Sequence, residues 1–143
     1  MPARSEMGPE FLVDTSVAVA LVVADHPQHV PTLRALGPKQ LGLCGHAAFE
    51  TYSVLTRLPP PARRTPAAVT RLLAQNFPHG RFLSADAAGT LLSELEPLGI
   101  AGGSVYDALV GAAAAEHGLS LATRDQRALD TYRALGVRVE QLD

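Results

Sequence analysis

Four acidic residues stand where the chain changes character: Asp14 in FLVDTS, Glu50 in HAAFETYSVL, Asp107 in GGSVYDALV and Asp125 in LSLATRD. Asp14 and Asp125 follow short apolar runs, whereas Glu50 and Asp107 lie inside apolar stretches with helical spacing. Residues so far apart in sequence meet only if the fold brings them together, and packing carboxylates within a few ångströms costs several kcal/mol of repulsion at low effective dielectric. A hard divalent ion with oxygen ligands offsets that cost, so the expected site is an all-oxygen Mg²⁺ or Mn²⁺ centre of one or two ions. The matching chemistry is hydrolysis at phosphorus: the ion acidifies a bound water and stabilises charge developing on the phosphate.

Each acid also has an ordinary explanation. Asp107 falls in the first turn of a helix, where a negative charge complements the dipole. Asp125 is placed to cap a helix, and Glu50 could point into solvent beside its apolar stripe. Against these, Asp107 is flanked by Val105, Leu109 and Val110 with no base three or four residues on, and Glu50 has no cation before Arg57. Asp14, directly after Phe11-Leu12-Val13, belongs at the edge of a core.

The elements that would position these acids alternate. Residues 10–14, 40–44, 81–84, 119–123 and 137–142 read as strands. Between them run helical stretches: VAVALVVA with Thr15-Ser16 as its cap, a piece from Pro27 and Pro31 to Gly37-Pro38, His46 to Leu58 ending at Pro59-Pro60-Pro61, and AAVTRLLAQNF opened by Thr65-Pro66. Further on come a helix capped by Ser84 or Asp86 running to Leu95, one opened by Gly102-Gly103-Ser104 and closed by Gly118, and QRALDTYRAL capped by Asp125 and closed by Gly136. This alternation predicts an α/β fold with a parallel sheet covered on both faces. Ligands then bind beyond the carboxyl ends of the strands, the edge where Asp14 and Asp125 fall.

Composition sets the outer limits. A chain of 143 residues, 47% hydrophobic and 18% charged, fits one domain with a solid core. Residues 1–9 read as a disordered lead or a cloning remnant and residues 10–143 as the single domain. No stretch approaches the roughly 20 apolar residues a bilayer requires. Cys44 is the only cysteine, expected as a buried thiol in a cytoplasmic protein. The net charge of −2 becomes −2 + 4 = +2 once the four acids are set aside. Arg57, Arg63, Arg64, Arg71, Arg81, Arg124 and Arg127 are then candidates for a phosphate backbone. The five histidines show no zinc-like spacing, and Gly102-Gly103 lacks a dinucleotide or P-loop pattern. Tyr52, Tyr106 and Tyr132, at helical positions, read as packing groups.

From about residue 11 to 141 the order and placement of these motifs resemble the PIN-domain ribonucleases, in particular the VapC toxins of bacterial toxin–antitoxin modules. In that family an aspartate followed by Thr or Ser ends the first strand, as in Asp14-Thr15-Ser16; a glutamate lies on a mid-chain helix, as Glu50 does; an aspartate opens a late helix, as Asp107 does; and a last aspartate follows a strand, as in Thr123-Arg124-Asp125. The resemblance implies a five-stranded parallel sheet in 3-2-1-4-5 order with about seven helices, Mg²⁺- or Mn²⁺-dependent endoribonuclease activity, homodimerisation, and inhibition by a VapB-like antitoxin. Such a partner would lay a helix on the early helices and extend a basic side chain toward the acids. Asp14, Asp107 and Asp125 are then the expected metal ligands, with Glu50 completing the catalytic set directly or through water. Glu94, Glu96 and Glu116 are its rivals for that place. Ser16 and Thr123 would orient carboxylates or waters, and Arg124 and Arg127 would hold the scissile or flanking phosphate.

Two other functions compete. An aspartyl-phosphate enzyme needs a lysine near its nucleophile, and only Lys39 is present. A PIN-like module that binds RNA or protein without cutting would lack an acid, and none is missing.

Overall fold

The computed structural model describes residues 8–143. Residues 1–7 of the expected lead lie outside them. Four apolar runs form strands, Phe11–Val13 (β1), Leu41–Leu43 (β2), Leu121–Thr123 (β3) and Val139–Gln141 (β4). They make one parallel sheet in the order β2-β1-β3-β4. Seven α-helices cover it: Thr15–Val22 (α1), His29–Leu36 (α2), Ala47–Thr56 (α3), Pro66–Asn76 (α4), Ala85–Glu94 (α5), Ser104–His117 (α6) and Leu129–Ala134 (α7), the last preceded by a 3-10 turn at Gln126–Ala128.

The expected fifth strand at 81–84 takes its place beside β2 but is reduced to one bridge, Cys44 to Arg81. Arg81 N–H donates to the Leu43 carbonyl at 3.1 Å and Gly45 N–H to the Arg81 carbonyl at 2.7 Å. The pairing stops there because Ser84 leaves the sheet to cap α5, its own N–H donating to the Glu116 carboxylate at 2.9 Å. Gly42 allows the preceding loop to cross closely, since a Cβ there would stand 2.0 Å from the His79 carbonyl oxygen.

Alternate strand residues face opposite sides of the sheet. Leu12 and Leu121 pack with Val110, Ala113 and Ala114 of α6 and Tyr132 of α7. Val13 and Ala122 pack with Val17, Ala18 and Leu36 on the other face. Cys44 is buried in the first cluster, where its thiol donates to the Val110 carbonyl at 3.0 Å and burial pushes its pKa up to about 12. Gly111 sets how closely α6 and α7 approach: a Cβ there would lie 3.0 Å from the Tyr132 ring and 3.2 Å from Leu135.

Two expected caps shift by one residue. Asp14, not Thr15 or Ser16, caps α1, accepting from the Val17 N–H. Gly103 precedes α6 without a side-chain cap bond, and Ser104 is the first helical residue, with Asp107 in the first turn.

Candidate active site at the carboxyl edge of the sheet

Because β1 and β3 are parallel neighbours, their carboxyl ends lie side by side, and each hands the chain to an acid. Asp14 directly follows β1, and Asp125 follows β3 by two residues. Glu50 and Asp107 arrive from the first turns of α3 and α6. All four line one small cavity of about 50 Å³, with Thr15, Ser16, Val110 and Tyr132. Glu50, Asp107 and Asp125 also border a wider cleft of about 640 Å³ that adds His46, Tyr106 and Arg127. Glu94, Glu96 and Glu116 line neither.

Asp14 is only 4% exposed and is held by four donors. Its Oδ1 accepts from the Ser16 hydroxyl at 2.5 Å and the Val17 N–H at 3.3 Å; its Oδ2 accepts from the Thr123 hydroxyl at 2.5 Å and the Tyr132 hydroxyl at 2.9 Å. Burial raises its pKa, and the four hydrogen bonds oppose that rise. The two hydroxyls are also relays: Ser16 accepts from the Arg124 N–H at 2.9 Å, and Thr123 accepts from the Asp125 N–H at 3.0 Å. The loop after β3 is thereby fixed to the carboxylate that ends β1.

Asp107 is in a different situation. Among the described residues its carboxylate accepts no hydrogen bond from a side chain, and burial, then the charges of Asp125, Glu50 and Asp14, push its pKa up to about 6, with Arg127 opposing. Asp125 accepts from the Arg127 N–H at 3.0 Å and pairs with its Nε at 3.6 Å. Glu50 pairs with His46 at 3.4 Å and accepts a long bond from the Thr15 hydroxyl at 3.5 Å.

Among the described residues no three acid, histidine or cysteine side chains already meet around one point as a finished metal site. The donor set nevertheless suits a hard cation. It is all oxygen, and after burial the charges of Asp125, Glu50 and Asp14 are what raise the pKa of Asp107. Asp14, Asp107 and Asp125 would hold such an ion, with Glu50 lining the same cavity.

Sequence reasoning gave Tyr132 a packing role, and it is indeed buried, but its hydroxyl bonds Asp14 from 118 residues away. Burial and the Asp14 charge push the phenol pKa well up, so it stays a donor. No local pattern marks it; the close approach at Gly111 is the signal, visible only in three dimensions. Tyr106 departs from expectation more plainly: it is 54% exposed and stacks on His46.

Arg127 borders the cleft, but the Arg124 guanidinium does not. It bonds Gln28 Oε1 at 2.7 Å, Thr32 Oγ1 at 3.2 Å and the carbonyl of Asp143, and lines a separate cleft beside α1 and the chain end. Those donors are engaged there, away from the cleft that Arg127 borders. Lys39, which an acyl-phosphate enzyme would need near Asp14, lies over the Phe11 ring at 5.7 Å, at the other end of β1.

The model of the PIN domain family matches residues 11–134. The chain is 48% identical over 133 residues to Ribonuclease VapC27 of Mycobacterium tuberculosis, covering 93% of this chain and 97% of the relative. It is 46% identical over 129 residues to Ribonuclease VapC40 of the same species, covering 89% and 95%. Among solved structures, VapBC2 from Rickettsia felis bound to a fragment of promoter DNA superposes with a TM-score of 0.67 at 16% identity, covering 93% of this chain and 98% of that one. With most of its length matched in sequence and fold, this chain belongs to the PIN domain family.

Proposed function

We propose that this chain is a divalent-metal-dependent endoribonuclease, the toxin of a toxin–antitoxin pair, with Asp14, Glu50, Asp107 and Asp125 as its catalytic carboxylates. The observation that carries the reading is the convergence of these acids on one cavity, where burial and then the charges of the other three raise the pKa of Asp107. Relatives named as ribonucleases at 46–48% identity support RNA as substrate.

A bound Mg²⁺ or Mn²⁺ supplies Lewis acidity and an acidified water. The chain's own groups do the rest. Asp14 is held rigidly by Ser16, Thr123 and Tyr132, so the site does not reorganise when a charged ligand enters. Asp107 and Asp125, which line the same cavity, would hold the ion together with Asp14. Glu50, paired with His46 at 3.4 Å, would orient a water. Arg127 holds a phosphate at the mouth of the cleft.

Incubation of total RNA with the wild-type chain should give fragments in Mn²⁺ and none in EDTA, and Asp14→Asn should give none in either. Cleavage that persists in EDTA, or in the variant, refutes the reading. An antitoxin partner is supported by the toxin–antitoxin assembly of the Rickettsia felis relative in fold. Co-expression with the adjacent gene and co-purification test it; light scattering tests the expected homodimer.

A further inference from the structure

A series of rings that starts at the wide cleft with His46 and Tyr106 takes no part in the chemistry proposed above. His46 and Phe49 stand one turn apart on the face of α3 that also carries Glu50. Tyr106 adjoins Asp107 at the start of α6, and Phe82 lies just ahead of α5. The rings form a continuous series: His46 stacks on Tyr106 at 5.3 Å between centroids and 25° between planes, His46 lies 6.4 Å from Phe49, and Phe49 lies 6.0 Å from Phe82. Phe49 and Phe82 remain 66% and 56% exposed. Single exposed aromatic residues are common, but four in sequence leading away from a carboxylate cavity form a patch with a purpose.

Charge indicates what the patch receives. Arg127 is the basic residue that borders the cleft, facing Glu50, Asp107 and Asp125, and the chain as a whole carries −2. Beyond Arg127 and the divalent ion, a nucleic acid finds no arginine or lysine among the described residues of the cleft for its phosphates, so its bases must supply part of the affinity. Stacking on aromatic faces provides that, tolerates any base and depends little on salt. Duplex bases are already stacked on one another and offer no free face.

We propose that Tyr106, His46, Phe49 and Phe82 form a stacking track for unpaired nucleobases flanking the cleaved bond. The proposal rests on the nuclease reading. His46 and Tyr106 border the same cleft as the acids, so a strand lying on the track passes its backbone over the carboxylates.

The test uses the full chain carrying Asp107→Asn, which should not cut, and a fluorescein-labelled ten-nucleotide oligoadenylate RNA, single-stranded or annealed to its complement. Anisotropy should show preference for the single strand. Adding Phe49→Ala or Tyr106→Ala should weaken that binding about 5- to 150-fold while leaving the slope of log affinity against log salt unchanged. Tyr106→Phe should bind like the parent, whereas Tyr106→Leu, which keeps apolar area but no aromatic face, should lose affinity like alanine. These side chains are exposed, and a thermal melt checks that each variant folds.

Alanine variants that bind like the parent, or leucine that substitutes for tyrosine, overturn the track. So does Phe49→Ala lowering the mass seen by light scattering with RNA affinity intact, because the stripe is then an interface between copies of the chain. If the wild type cuts total RNA in Mn²⁺ while the oligomer shows no preference for the single strand, the track falls and the nuclease stands. If the wild type cuts no RNA and the oligomer does not bind, both fall.

Discussion

Two aspartates that line the same cavity are held in different ways. Asp14, from the end of β1, is buried and wrapped by donors from α1, β3 and α7. Asp107, from the first turn of α6, lacks such partners and faces three other acids. The difference teaches how a carboxylate site stays foldable without its ion: the burial of one carboxylate is opposed by four hydrogen bonds, and the repulsion is left on another that has none. Replacing either should therefore affect the molecule differently, although both should stop cleavage.

The largest expected effect is on catalysis. Asp14→Asn and Asp107→Asn should each lower the cleavage rate by about 10³-fold, the several kcal/mol of charge stabilisation a correctly held metal supplies. The two should separate in stability: Asp14→Asn leaves four donors facing a weaker acceptor and should lower the melting temperature, measured by calorimetry in EDTA.

Next comes Tyr132→Phe, which removes one donor from Asp14 and leaves the ring in the core. Activity or Mn²⁺ affinity should fall about 10- to 100-fold, as for loss of a group that orients a ligand. Stability should fall by about 1 kcal/mol. Unchanged Mn²⁺ affinity in a titration would make the Tyr132–Asp14 bond purely structural.

Asp107 makes the opposite prediction. Its folded pKa of about 6 is above the ordinary 3.8, so the native state holds the proton more tightly than the unfolded chain. Ionisation of Asp107 thus opposes folding: the penalty is absent below about pH 4, grows between there and about pH 6, and is complete above. Discounted for solvent screening of a partly exposed group, it is on the order of 1 kcal/mol. Asp107→Asn should then raise the metal-free melting temperature by about 3 °C at pH 7.5 and have no effect near pH 4. Mn²⁺ should stabilise the wild type at pH 7.5 and far less at pH 5. An equal gain at both pH values would mean that the neighbouring acids do not act on Asp107.

The smallest expected effects separate two arginines. Arg127→Ala should raise KM several-fold, since it borders the cleft. Arg124→Ala should change cleavage less than about threefold and instead loosen the Gln28, Thr32 and Asp143 contacts, seen as a lower melting temperature.

What was legible in the sequence follows the same division. Asp14 and Asp125 could be read because a parallel sheet puts the ends of its strands on one edge, and Glu50 and Asp107 because charge without a local partner stands out in an apolar stripe. The strand order was legible too, although the 81–84 run pairs through a single bridge, since nothing local revealed that the Ser84 N–H would be taken by Glu116. Contacts made through side-chain direction were not legible. Tyr132 has the spacing of any core tyrosine, and only the close approach at Gly111 aims its hydroxyl at Asp14. Arg124 adjoins Asp125 in sequence yet points away, and Tyr106 adjoins Asp107 yet lies open against His46.

The account depends on the four carboxylates sharing one ion-binding field. Anomalous diffraction from crystals grown in Mn²⁺ tests this directly. The expected result is a peak in the cavity bordered by Asp14, Glu50, Asp107 and Asp125, lost in Asp107→Asn. A wild-type crystal with no peak there, from protein whose RNA cleavage still depends on Mn²⁺, would contradict it.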